Sequence, residues 1–229
     1  MTKNILFLRD KQRENKGGHI LSQQQQNQMG NEAMYQPDSA KFNHGGHEVL
    51  DMHETLSTIV GGLNQFVIFR DQIQDTELKD ILDRQYKFSL DEYNILVESF
   101  KTGRDPSHPT GSYEMQQNNQ FTFGLKAGQP TKPITQASEI NDEIISGYLL
   151  AAHKQMASAK LVTALETTNP VVRRVLADSI PNCIEMAYEI SLYQNKKGYY
   201  QVPQLSPQDM AIMTNCFGEA TSISPSKFN

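Results

Sequence analysis

The chain lacks any apolar run long enough to cross a bilayer. Near its start Ile5, Leu6, Phe7 and Leu8 are cut short by Arg9, Asp10 and Lys11, and nothing later approaches the ~18 uninterrupted apolar residues of a span. Neither a signal peptide nor a membrane span is expected. Cysteine is scarce: Cys183 and Cys216 are the only two, with no paired-cysteine motif, which excludes a structural zinc cluster and fits a reducing cytosol. Positive charge is also wanting. A net charge of -5 and a pI near 5.7 give no electrostatic pull toward nucleic acid. Catalytic signatures are missing too, since there is no Gly-rich phosphate loop at a strand-to-helix turn, no Gly-x-Ser-x-Gly elbow and no Glu-x-x-His.

What remains is 229 residues with 38% hydrophobic content, enough for a real core. Residues 1–46 are rich in Gln, Asn, Gly and Ser around a Gln23 to Gln26 run, and cannot bury enough apolar surface to offset the entropy of ordering. They read as a flexible arm. Residues 104–136 form a second polar stretch, a long connection holding Pro106, Pro109, Pro130 and Pro133 and no clear period.

Elsewhere the 3.6-residue period is strong and predicts four helices of about 26 to 29 residues. The first, from about His47 to Gln72, has the stripe Val49, Met52, Leu56, Ile59, Leu63 and Phe66. The second follows Asp75 as cap, carries Leu78, Leu82, Tyr86, Ser89, Tyr93, Leu96 and Phe100, and stops at Gly103. The third opens near Ser138 with Ile145, Leu149, Ala152, Met156 and Ala159 as its stripe. The fourth starts at Asn169 and Pro170, runs through Val172, Leu176, Cys183, Met186, Ile190 and Tyr193, and ends at Gly198, with a kink expected at Pro181. The predicted fold class is all-α, a ferritin-like antiparallel four-helix bundle. Short first and last links force hairpins, while the middle link can run the ~40 Å length of a helix and make helices 2 and 3 parallel. The domain plan is therefore an arm over 1–46, a bundle over 47–198, and a tail over 199–229 whose short helix, capped by Ser206 and Pro207, docks through Met210, Ala211 and Met213.

A ferritin-like bundle raises the question of a dimetal centre. Helical projection turns Glu143, Glu185 and Glu189 to solvent, leaves Glu48, His53 and Glu92 on stripe edges, and sets His153 with Lys154 and Lys160 on the polar side of helix 3. The interior is expected to be hydrocarbon and aromatic packing. His44, His47, Asp51 and Glu54 form the remaining metal candidate, a surface zinc or nickel site, although capping and solvation explain them more simply. Tyr86 and Tyr93 read as core tyrosines and Cys183 as a small buried hydrophobe. No catalytic, cofactor-binding or metal-ligating residue is assigned, and no cofactor.

Three stretches carry a family likeness: His44-Gly45-Gly46-His47-Glu48-Val49-Leu50-Asp51-Met52-His53-Glu54, Leu82-Asp83-Arg84-Gln85-Tyr86-Lys87, and Gly198-Tyr199-Tyr200-Gln201-Val202-Pro203. They resemble the spore coat protein F family of endospore-forming Bacillus-type bacteria over most of residues 44–205. The resemblance implies a ferritin-like, non-catalytic structural protein, made in the cytoplasm of the sporulating cell and placed in the spore coat. Its implied partners are other coat proteins and further copies of itself. Coat layers carry tyrosine and Gln–Lys cross-links, for which Tyr35, Tyr199, Tyr200 and the Gln23 to Gln26 run are the candidate positions. Two other readings stand against it: a metal-dependent oxidoreductase of manganese-catalase type, and an adaptor that recruits a partner helix through the Met-rich tail.

Overall fold

The computed structural model describes residues 44–221. The expected flexible arm lies outside them except for its last three residues, as do Tyr35 and the Gln23 to Gln26 run. The order of elements is α1 (Gly46–Arg70), α2 (Thr76–Thr102), a 3-10 turn (Ala137–Glu139), α3 (Asp142–Glu166), α4 (Pro170–Lys197) and a short α5 (Pro207–Thr214). Among the described residues there is no strand, only an isolated bridge between Phe123 and Val202. Among these residues no helix is long and apolar enough to cross a membrane.

Local chemistry sets the helix ends. The Asp75 side chain accepts from the backbone N–H of Glu77 to open α2, and Gly103, at φ 62°, closes it in a left-handed turn that a side chain would strain. Asn169 accepts from Val171 and Val172 ahead of Pro170 at the start of α4, and Gly198 at φ 80° ends it. The start of α3 differs from expectation by a few residues. Ser138 belongs to the 3-10 turn, closed by the Glu139 carboxylate, which accepts from the N–H groups of Thr135 and Gln136; Asn141 then caps α3 through Ile144. Pro181 lies within α4 on its exposed side, where water can serve the carbonyl that the ring leaves unpaired, and the helix runs on to Lys197.

Cross-helix pairs fix the connectivity. Thr55 of α1 meets Thr163 of α3, and Asp142 at the start of α3 accepts from the N–H groups of Gln74 and Asp75 beyond the end of α1, so these helices are antiparallel. Gln85 reaches Met186 while Asn182 reaches Glu92, so α2 and α4 are antiparallel as well. Gln85 with His153 and Glu92 with Lys160 share one sequence offset of 68, which requires α2 and α3 to be parallel. Two hairpins joined by a full-length crossover give the one-crossover, ferritin-like connectivity.

The core contains Met52, Ile59, Phe66, Leu78, Leu82, Ile95, Leu149, Met156, Leu176 and Tyr193, all fully or nearly fully buried. Gly62 is buried mid-helix against Met156 and Ala152 of α3, where a Cβ would meet the Met156 side chain at 3.5 Å, an ordinary van der Waals distance. The expected docking of the tail helix is not found, since every residue of α5 is exposed. Its apolar residues Met210, Ala211, Ile212 and Met213 are consecutive, and at 100° per residue they spread around the helix without forming a single face. Leu176 is fully enclosed, so Leu176→Ala should cost about 2–5 kcal/mol of unfolding free energy; urea denaturation followed by circular dichroism checks this.

Candidate functional site

The interior is not hydrocarbon throughout. Helices α2, α3 and α4 bring Gln85, Glu92, His153, Lys160, Asn182 and Glu189 inside, each at most 5% exposed. Three of these overturn the helical projection directly. Glu189, His153 and Lys160 were expected to face solvent and are 0%, 0% and 3% exposed. Glu92, expected half-buried at a stripe edge, is 5% exposed.

His153 and Lys160 are enclosed by the neighbouring helices, through Gln85, Phe66, Glu92 and Cys183, whereas for Glu189 the reason lies in the crossover. Asn182 and Glu189 are seven residues apart on α4 and share one helical face, while Asn195, near the end of the helix, lies roughly 120° round from Glu189. Each accepts from a backbone N–H of the crossover: Tyr113 N–H to Asn182 Oδ1 (2.8 Å), Gln116 N–H to Glu189 Oε1 (3.0 Å) and Thr122 N–H to Asn195 Oδ1 (2.7 Å). Phe88 and Tyr188 hold the same segment through ring contacts with Tyr113 and Phe121. The crossover thus lies along α4 as an extended strap and shields a face that periodicity alone would leave in water.

Two charged groups sit under this strap. Glu189 accepts from Arg84 Nη2 (2.9 Å), Gln85 Nε2 (3.0 Å), the Gln116 N–H and the Tyr113 hydroxyl. Burial pushes its carboxyl up, but the Arg84, Gln116, Tyr113 and Gln85 bonds outweigh burial and hold it below the ordinary range. Burial, with the hydrogen bond to Glu189, raises the Tyr113 hydroxyl well above the usual phenol range. About two helical turns along α2 from Gln85, Glu92 accepts from Lys160 Nζ (3.0 Å) on one oxygen and from Asn182 Nδ2 (2.7 Å) on the other. Burial disfavours the Lys160 charge, and the neighbouring Cys183 and Glu92 more than reverse this, so Lys160 stays an ammonium. Burial raises the Cys183 thiol above its ordinary range, although Lys160 Nζ at 3.3 Å pulls the other way.

His153 lies between these groups. Gln85 uses its amide nitrogen on Met186 and Glu189, so its oxygen is the acceptor and His153 Nε2 carries the proton between them, at 2.8 Å. His153 Nδ1 is then a buried acceptor with no donor. Burial, reinforced by Lys160, drops this imidazole to about 3.

A second carboxylate site closes one end of the bundle. Glu48, fully buried, accepts from Thr168 N–H (2.9 Å), Thr168 Oγ1 (2.6 Å) and Asn169 N–H (3.0 Å). His44 Nδ1 lies 2.6 Å from its other oxygen, and His44 Nε2 bonds the Phe100 carbonyl at 2.8 Å. Burial raises this carboxyl; the Thr168, His44 and Asn169 bonds overcome that and lower it. The start of α1, the end of α2 and the α3–α4 link are thereby held by one side chain.

The proposed surface metal set does not assemble. His44 is turned onto Glu48 and Phe100, Asp51 is half-buried, and His47, His53 and Glu54 are exposed. Among the described residues, no three His, Cys, Asp or Glu side chains converge as a metal site. Glu143 is exposed as projected, and Glu185 is half-buried. Tyr86 and Tyr93 pack partly buried against the core, and Cys183 is buried. The seven-residue spacing of Asn182 and Glu189 was the available signal for the strap, and it lies outside any apolar pattern.

Arg84→Met should strand the Glu189 charge and cost about 3–5 kcal/mol, with limited proteolysis showing earlier cleavage within residues 104–136. Because folded His153 titrates near 3 and an unfolded histidine near 6.5, the unfolded chain binds the extra proton between those values. Stability should therefore fall by about 1.4 kcal/mol per pH unit as pH drops below ~6.5. His153→Gln should remove this slope and leave only the carboxylate-driven loss at lower pH, as thermal unfolding across a pH series will report.

Comparison with known proteins agrees with this architecture. The Coat F domain family matches residues 141–203, which span α3 and α4. The spore coat protein F-like protein YhcQ of Bacillus subtilis (strain 168) is 48% identical over 205 residues, covering 90% of this chain and 93% of that protein. The crystal structure of a Bacillus halodurans C-125 protein assigned to the spore coat is 18% identical, covers 71% of this chain and 95% of its own, and superposes with a TM-score of 0.51, a likeness of fold. The manganese-catalase alternative finds no support: the interior carboxylates Glu92 and Glu189 are engaged by Lys160 and Arg84, and the relatives are coat proteins.

Proposed function

Because this chain belongs to the spore coat protein F-like family, we propose that it is a structural component of the bacterial endospore coat, non-catalytic, and that it contributes to coat assembly. The observation that carries this reading is the 48% identity to a spore coat protein F-like protein along nearly the whole length of both chains. The pairing of the interior charges supports it. Each buried carboxylate is bound to cations, amides or backbone donors of its own chain, which suits a rigid building block.

Assembly needs surfaces, and the bundle offers them to other coat proteins and to further copies of itself. Val67 and Ile68 of α1 and Leu161, Val162 and Leu165 of α3 are at least half exposed. Tyr199 and Tyr200 are 38% and 47% exposed, accessible for cross-linking to neighbours. A fluorescent fusion expressed from the native promoter should ring the forespore and then the mature spore, and the untagged protein should appear in extracts of purified coats. Fluorescence that stays diffuse in the mother cell, with coat extracts free of the protein, would refute the assignment.

A further inference from the structure

The contact between Glu92, Lys160 and Asn182 holds more than an ion pair needs. A lysine and a glutamate neutralise each other without help, yet the Asn182 amide is gripped at every polar position. Its oxygen accepts the Tyr113 N–H at 2.8 Å, and its nitrogen donates to Glu92 Oε1 at 2.7 Å and to the Gly111 carbonyl at 2.9 Å. Lys160 Nζ sits on the other oxygen of the same carboxylate at 3.0 Å and is also held 3.3 Å from Cys183, the residue next to Asn182. Lys160, Glu92 and Asn182 are 3%, 5% and 5% exposed, so water is kept from competing.

We propose that Lys160 and Asn182 form an intramolecular isopeptide bond, with Glu92 as the proton carrier. A nucleophile, an amide electrophile, a shared acid–base group and an oxyanion donor are the parts that such an acyl transfer requires. Lys160 first passes a proton to Glu92 Oε2. The freed amine attacks Asn182 Cγ, forming the Nζ–Cγ bond, and the negative charge that develops on Oδ1 is met by the Tyr113 N–H. Glu92, protonated, gives its proton to Nδ2; the Cγ–Nδ2 bond breaks and ammonia departs with the second proton from Nζ. Lysine ammonium plus asparagine amide become a secondary amide plus ammonium, with nothing oxidised or reduced and the Glu92 carboxylate restored. Burial strengthens each of these hydrogen bonds and holds the groups in register, which replaces an external enzyme. The bond would join α3 to α4 covalently beneath the strap.

Mass spectrometry of the purified full-length chain tests this. The expected result is an intact mass lower by one ammonia under denaturing, reducing conditions, together with a branched proteolytic peptide that joins the Lys160 and Asn182 segments. Asn182→Ala should restore the full mass, and so should Glu92→Gln, with the helical circular dichroism spectrum retained. Recovery of the two segments only as separate peptides from aged wild-type protein would overturn the proposal, as would loss of ammonia with no branched peptide. A folded Glu92→Gln chain that still cross-links would overturn the role given to Glu92. If that variant fails to fold, the wild-type peptide map decides alone.

Discussion

A carboxylate removed from water is stable only if donors replace the water it lost, and this bundle depends on meeting that demand three times. Glu48, Glu92 and Glu189 are each nearly or fully buried, and each collects donors from segments far apart in the chain. An unpaired carboxylate in the interior would cost several kcal/mol, so any arrangement that separates these donors is heavily disfavoured. Apolar packing brings the helices together; the three carboxylates fix which turn of one meets which turn of the next. The same property ties the irregular crossover to the bundle, because its backbone N–H groups are donors that Glu189, Asn182 and Asn195 need.

The consequence for function is stiffness. In ferritin-like metalloproteins the inward acidic residues face one another across a cavity and need metal ions to balance their charge. Here the two acidic residues in the middle of the bundle have cationic partners from a facing helix, Lys160 from α3 for Glu92 of α2 and Arg84 of α2 for Glu189 of α4. His153 is neutral and spends its one N–H on Gln85. The polar interior thus works as internal bracing, in keeping with the proposed structural role. It also contains the contact of Lys160 and Asn182 with Glu92, the site of the proposed covalent brace.

Much of the helical framework was legible before any coordinate. Asp75, Gly103, Asn169 with Pro170, and Gly198 mark helix ends because caps act within one turn of the residues that form them. The length of residues 104–136 against the length of a helix allowed α2 and α3 to be parallel, and the pairs Gln85–His153 and Glu92–Lys160 show that they are. The candidate site was much less legible. Projection assigned Glu189, His153 and Lys160 to water because a stripe drawn through apolar residues alone is narrower than the arc a helix buries when it has three neighbours. For the His44, His47, Asp51 and Glu54 cluster capping and solvation were the simpler reading, and His44 turns across to the Phe100 carbonyl and Glu48.

The amino-acid order by itself therefore determined the class of fold, most of the positions where helices start and stop, and a crossover long enough to run the length of the bundle, all of which follow from interactions spanning a few residues or from chain length. Tertiary structure alone decided which polar side chains are inside. Whether Glu189 meets water depends on Tyr113 and Gln116 lying over it, more than seventy residues away in the chain, and a covering segment that distant leaves no mark on the local periodicity of the helix it covers.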